Sequence, residues 1–184
     1  MNAPIDVTVI RIETDRLILR PWKVSDLQDF YAYASVEGVG ENAGWNHHQS
    51  VEETRKILWS FIQNRKTLVL ELKENHKVIG SIGIEPRHSD SGLSDDLHGR
   101  ELGYVLSKDY WGRGLMPEAV SAVIDYCFGV LNYDYLTCGH FDRNDRSRRV
   151  VEKCGFQFVR DVTMHTARGI DEPGKLYVIY NPNK

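Results

Sequence analysis

The chain has 184 residues, 23 basic against 26 acidic side chains, and a formal net charge of −3. That length suggests one domain spanning 1–184 with a sizeable core, and the near-neutral balance argues against a dedicated duplex nucleic-acid binder. With 41% hydrophobic and 10% aromatic residues, disordered, collagen-like and low-complexity classes are excluded. The first clear element is DRLILRP, where Leu17 and Leu19 alternate with Arg16 and Arg20, a strand closed by Pro21. Ser25 with Gln28 reads as a capping box before Leu27, Phe30, Tyr31 and Ala34, and Ser50 with Glu53 repeats it before Ile57, Leu58, Phe61 and Ile62. TLVLEL and KVIGSIGI flank Glu74-Asn75-His76, which suits a β-hairpin. Residues 86–99 read as a long polar surface loop.

ELGYVL is the next strand, and it runs through Gly112-Arg113-Gly114 into a helix from about Leu115. Met116, Ala119, Val120, Val123, Ile124, Cys127 and Phe128 share one face of that helix. YDYLTCGHF is a strand, residues 145–154 form a short helix stopped by Gly155, and FQFVRDV and KLYVIYN close the chain as strands. The pattern is mixed α/β with at least one β–α–β crossover, so part of the sheet should be parallel. Cys127, Cys138 and Cys154 form no C-x-x-C pair, which argues against a disulfide scaffold or cysteine zinc site and for a reducing compartment. No apolar run approaches the ~18 residues of a membrane span. Asp6, Arg11 and Glu13 spoil any signal-peptide pattern. A cytoplasmic protein without membrane or direct nucleic-acid contact is expected. The histidines show no H-x-x-x-H spacing, so no metal site is inferred.

The strongest chemical signal is ELGYVLSKDYWGRGLMPEA. Glycines let backbone N–H groups approach an anion, and the helix N-terminus adds unpaired donors and a partial positive charge. The dinucleotide fingerprint fails for want of a third glycine, and the P-loop fails for want of G-K-[ST]. A bare strand–helix turn is the plain alternative on this stretch alone.

Three blocks together carry more: Glu13-Thr14-Asp15-Arg16-Leu17-Ile18-Leu19-Arg20-Pro21, Tyr110-Trp111-Gly112-Arg113-Gly114-Leu115-Met116-Pro117-Glu118-Ala119, and Asn144 through Phe156. In this order they resemble the GNAT superfamily of acyl-CoA-dependent N-acetyltransferases, and within it the branch of ribosomal-protein N-terminal acetyltransferases. The resemblance covers the chain from about Glu13 to Phe158. It implies a central twisted mixed sheet of about six to seven strands, about four flanking helices, and a splayed parallel strand pair. Acetyl-CoA would be the cosubstrate. Its pyrophosphate would lie on the amides of Gly112, Arg113, Gly114, Leu115 and Met116, but not Pro117, which has no N–H. Asp109 stands where relatives often carry Gln or Arg.

The pantetheine arm would run along Val105 and Leu106, with a strand N–H near Val105 holding the oxyanion. Asn144 would contact the pantetheine or fix the next turn. Arg148 and Arg149 would meet the nucleotide phosphate or lie solvated. Val150 and Val151 occupy the region where many relatives carry a Tyr, so Ser147, near the sulfur, becomes the replacement proton donor; a helix-start hydrogen bond is its alternative. Glu101 stands where relatives carry a general base, with a strand-end ion pair, such as one to Arg100, as its alternative.

The acceptor is a primary amine. An α-amine with a pKa near 8 is partly neutral, unlike Lys at about 10.4, which favours a protein or peptide N-terminus. A small amine, or acyl-CoA binding without efficient transfer, stays open. Acceptor recognition is expected in the irregular segments 38–50 and 163–175, the latter with His165, Arg168, Asp171 and Glu172. In the former Glu41 would hold the cation and Trp45 would pack over it. The alternatives are Trp45 as a lid on the core, and His47 and His48 as solvated loop residues. Either a monomer or a homodimer fits.

Overall fold

The computed structural model describes residues 1–87 and 92–184. Part of the loop expected at 86–99 (residues 88–91) falls outside the described residues. The sheet has eight strands: β1 (Ile12–Glu13), β2 (Leu17–Pro21), β3 (Thr67–Leu72), β4 (Val78–Glu85), β5 (Gly99–Leu106), β6 (Tyr135–Phe141), β7 (Gln157–His165) and β8 (Asp171–Tyr180). Their order across the sheet is β1-β2-β3-β4-β5-β6-β8-β7. One strand more than expected is present, because β1 is only two residues long and pairs through Ile12 and Glu13 with Leu19 and Ile18. Two residues are too few for an alternation to show in sequence.

Among the strand pairs of the described residues only β5 and β6 run parallel, from Gly99 opposite Tyr135 to Leu102 opposite Cys138. Beyond that point they separate. β5 follows β4 as far as Leu106, while β6 follows β8 as far as Phe141. The expected splayed parallel pair is therefore present, and the gap opens between Gly103–Leu106 and Gly139–Phe141.

Four helices cover the two faces: α1 (Leu27–Ala34), α2 (Val51–Asn64), α3 (Leu115–Gly129) and α4 (Asp145–Lys153). Strand alternation sorts the core into two layers. Leu17, Leu19, Leu68, Leu70, Ile82 and Leu102 face α3, with Ala119, Val120, Val123 and Cys127. Trp22, Val69 and Val78 face α1 and α2, with Phe30, Tyr33 and Leu58. Burying each large aliphatic side chain contributes about 1.5–3 kcal/mol.

The helix ends follow the local sequence in part. Ser50 Oγ accepts the Glu53 N–H at 3.1 Å, but Glu53 reaches back to the Gln49 amide at 2.7 Å rather than that of Ser50. The expected Ser25–Gln28 box is not formed. A 3₁₀ turn, Val24–Asp26, precedes α1, and Asp26 accepts the Lys23 amide at 2.8 Å. The reason is tertiary. Buried Arg20 donates to both Asp26 oxygens at 2.8 and 2.9 Å and to Glu71 at 2.5 Å, pinning the start of α1 to β2 and β3. The 163–175 segment is also more regular than expected, since β7 runs to His165 and β8 starts at Asp171, making a long hairpin.

Candidate active site

β5 ends at Leu106, and a 3₁₀ turn over Lys108–Tyr110 leads to the glycines. Gly112 and Gly114 have φ of 76° and 75°, left-handed values that side chains with a Cβ resist. α3 starts at once after Gly114, so helix geometry leaves the Leu115 and Met116 amides without intrahelical acceptors. The first sequence block holds this turn in place. Arg16 donates from Nε to Glu118 at 2.7 Å and from Nη1 to the Arg113 carbonyl at 2.9 Å. Glu118 also accepts the Thr14 hydroxyl at 2.6 Å and the Arg16 amide at 3.0 Å. Burial works against the Glu118 charge, but these donors outweigh it and lower its pKa. The Arg113 guanidinium stacks on Tyr110, 4.9 Å from the ring centroid.

Two cavities flank the splay. The first, about 470 Å³, lies on the α3/α4 side and is lined by Leu106, Trp111, Gly112, Gly114, Leu115 and Met116, among others. The second, about 610 Å³, lies on the α1/α2 side, lined by Phe30, Trp45, Phe61, Glu101, Gly103 and His140, among others. Asn42, Ala43, Tyr104, Val105, Asn144 and Ser147 line both. The cavities therefore meet at the splay, and β5 forms the wall between them.

Main-chain directions along β5 follow from one bond. The Ser107 amide donates to Ile79 O of β4 at 2.7 Å, and Val105 stands opposite Ser81. Antiparallel alternation then turns the main-chain groups of Val105 toward β4, and those of Tyr104 and Leu106 into the splay. The Leu106 carbonyl already accepts the Trp111 indole N–H at 2.9 Å. The amides aimed into the gap are therefore those of Val105's neighbours, Tyr104 and Leu106.

Asn144 caps α4: its Oδ1 accepts the Ser147 amide at 3.1 Å, and its Nδ2 donates to Asn42 O at 3.1 Å. Ser147 Oγ is not spent on the helix start. It lies 2.8 Å from the Tyr104 hydroxyl. Glu101 lines the second cavity, and Thr137 donates to it at 3.3 Å. Arg100 is turned to Ala3 O at 2.6 Å. Glu41 is committed to its own loop, accepting the amides of Gly38 at 2.7 Å and His47 at 3.1 Å, with His47 Nδ1 at 2.8 Å. Burial opposes its charge, yet these donors prevail and push its pKa down to about 2. Trp45 lines the second cavity and packs on His48, with ring centroids 5.0 Å apart. His48 is not solvated as expected. It is buried, bonded to Thr54 Oγ1 at 2.8 Å, and burial lowers its pKa.

Two of the three basic residues at the first cavity, Arg146 and Lys153, escaped the sequence reading as phosphate contacts, whereas Arg149 was expected there. Arg146, Arg149 and Lys153 line it, with Arg146 stacked 4.1 Å from the Trp111 centroid. Arg148 pairs with Asp145 at 3.0 Å and is not among the lining residues. The i, i+3, i+7 spacing from Arg146 is helical, so the row follows from the helix expected over 145–154.

Residues 16–157 match the model of the acetyltransferase (GNAT) domain, so the chain belongs to this family and is an acyl-CoA-dependent N-acetyltransferase with acetyl-CoA as cosubstrate. The uncharacterized N-acetyltransferase YoaA of Bacillus subtilis is 28% identical over 151 residues, 79% of this chain and 82% of that one. A GNAT-family acetyltransferase structure from Bacillus anthracis superposes with a TM-score of 0.80 at 20% identity, over 94% of this chain and 99% of its own. The ribosomal-protein-S5-alanine acetyltransferase of Vibrio fischeri superposes with a TM-score of 0.72 at 22% identity, covering 95% and 98%. No helix of the described residues is long and apolar enough to cross a membrane.

Proposed function

We propose that the protein acetylates the α-amine of a protein or peptide by direct attack on acetyl-CoA. The observation that carries this is the meeting of the two cavities at Tyr104, Val105, Asn144 and Ser147, which lets two substrates enter from opposite faces of β5. The likeness in fold to the S5-alanine enzyme supports an N-terminal acceptor. A cytoplasmic setting suits the three free thiols of Cys127, Cys138 and Cys154.

In this reading the amides of Gly112, Arg113, Gly114, Leu115 and Met116 hold the pyrophosphate. Arg146, Arg149 and Lys153 meet the remaining phosphate charge. The pantetheine passes Leu106 and Val105. Asn144 positions α4, so that Ser147 stands beside the thioester sulfur. The neutral amine approaches from the second cavity, over Gly103 and beneath Trp45. Glu101 takes its proton, directly or through one water. The Tyr104 and Leu106 amides face the carbonyl oxygen as it becomes negative, a role expected in sequence for an amide near Val105. Glu41 acts indirectly, shaping the loop that carries Trp45.

Thiol release from acetyl-CoA tests this with two panels: short peptides with free or blocked N-termini, and small amines. Turnover of free-N-terminus peptides, abolished by blocking, is expected. Turnover confined to small amines overturns the N-terminal acceptor. Glu101→Gln and Ser147→Ala both turning over at the wild-type rate overturns the roles given to Glu101 and Ser147.

A further inference from the structure

A serine hydroxyl in the first turn of a helix rotates freely, and nearby carbonyls compete for its proton. Something must aim the Ser147 proton if it is to reach sulfur. We infer that Tyr104 is a positioning residue for acetyl transfer: its phenol donates to Ser147 Oγ, which leaves the Ser147 proton directed at the thioester sulfur.

The geometry is specific. Tyr104 comes from β5 and Ser147 from α4, one on each lip of the splay, and both line both cavities. Their oxygens are 2.8 Å apart, whereas the Ser147 carbonyl is farther at 3.3 Å and the Cys138 thiol, which also meets the phenol, is a weak acceptor. A phenol, with an ordinary pKa near 10, is a better donor than an aliphatic alcohol, so the pair favours Tyr104 giving and Ser147 receiving. Ser147 Oγ, its lone pair occupied, then has its own O–H for a second partner. Ser147 Oγ is not needed as the cap acceptor, because Asn144 Oδ1 takes the Ser147 amide.

Burial fixes the chemical role. It raises the Tyr104 pKa well above the ordinary value, and it keeps the adjacent Cys138 thiol protonated. The phenol therefore stays a neutral donor and is a poor proton source, since burial disfavours the phenolate. The electron balance is simple. The amine forms the C–N bond, the C–S bond breaks, and its electron pair leaves on sulfur. The amine proton goes to Glu101 or water. Ser147 donates its hydrogen bond to the departing thiolate while Tyr104 donates to Ser147 Oγ; both keep the protons they began with, and the thiolate is protonated by solvent after it leaves.

The inference rests on Ser147 lying beside the thioester, so the test varies both residues. Tyr104→Phe, Ser147→Ala and the double variant are compared by steady-state thiol release from acetyl-CoA. The amine is whichever peptide or small amine the wild-type enzyme turns over fastest. Acetyl-CoA affinity by calorimetry and the melting temperature are measured alongside. Tyr104→Phe is expected to lower kcat about tenfold with KM for acetyl-CoA within about twofold, and the double variant to be no slower than Ser147→Ala. Ser147→Ala slow with Tyr104→Phe at the wild-type rate overturns the inference alone. Ser147→Ala at the wild-type rate overturns it together with the Ser147 assignment. Losses that multiply in the double variant also overturn it. In case Tyr104→Phe fails to fold, 3-fluorotyrosine at position 104 keeps the shape and strengthens the donor. There kcat should hold or rise, and a tenfold fall overturns the inference.

Discussion

Arg16 Nη1 donates to the Arg113 carbonyl at 2.9 Å, and this bond joins the entry to β2 with the middle of the glycine turn. Together with the Arg16–Glu118 pair it makes the first two sequence blocks one physical unit. The turn would otherwise carry two left-handed glycines with little to restrain them.

Glu118→Ala removes an acceptor with three donors, from Thr14 and Arg16. Hydrogen bonds to a charged group contribute about 1.5–3 kcal/mol each at most, and not additively. A loss of about 2–3 kcal/mol in unfolding free energy is expected, read by urea denaturation, with a rise in KM for acetyl-CoA of about tenfold because the turn loosens. An unchanged KM would separate the clamp from acetyl-CoA binding.

The basic row on α4 predicts a salt response. Acetyl-CoA affinity should fall as ionic strength rises, since exposed charge pairs are screened. Arg149→Glu should weaken binding by about tenfold at low salt and flatten that response, while Arg148→Glu, on the other side of the helix, should change it little. Calorimetric titrations at two salt concentrations check both.

Gly103 offers a clean way to close the acceptor side alone. A Cβ built there meets nothing within 4 Å, and Gly83 stands opposite it on β4. Gly103→Val should fold and bind acetyl-CoA as the wild type does, yet lower kcat/KM for the amine by about tenfold or more. Parallel loss of acetyl-CoA affinity would place the blocked space elsewhere.

The Glu41 carboxyl gives a pH signature of stability. Its folded pKa, about 2, lies below the ordinary value of about 4.3. The stabilisation is therefore present above about pH 4.3 and is lost as pH falls through 2. The difference in unfolding free energy between wild type and Glu41→Gln should be about 2–3 kcal/mol near neutrality and shrink toward zero near pH 2. Denaturant titrations across that range measure it. A difference independent of pH would assign the effect to packing.

The sequence was readable where one local rule decided the structure. The strand–glycine–helix passage around Gly112, the Ser50 cap and the Gly155 stop are local, and each formed. It was less readable where distant residues decided. Ser25 offers a good capping pattern, but Arg20 holds Asp26 and moves the helix start. The 163–175 hairpin looked irregular because β7 is an edge strand open to solvent, so polar residues replace the alternation a covered strand would show. At the site, the glycine turn announced itself, whereas Tyr104 carried no signal of its own. Its meaning depends on Ser147, 43 residues away in sequence. Glu41 had the right chemistry for a cation but is used up by its own loop.

Because consecutive residues of β5 serve opposite faces, the pairing of β4 with β5 does more than hold the sheet together. With Glu85 opposite Glu101 and Ser81 opposite Val105, Glu101 and Gly103 line the second cavity alone, which the proposed function gives to the amine, and Leu106 lines the first alone. A shift of one residue would exchange the two and leave each substrate facing the other's chemistry. A change in the connection between Glu85 and Gly99 is therefore tolerable only as long as the pairing register of the two strands is kept. An insertion that respects the loop but slips the strand would give a folded, inactive protein.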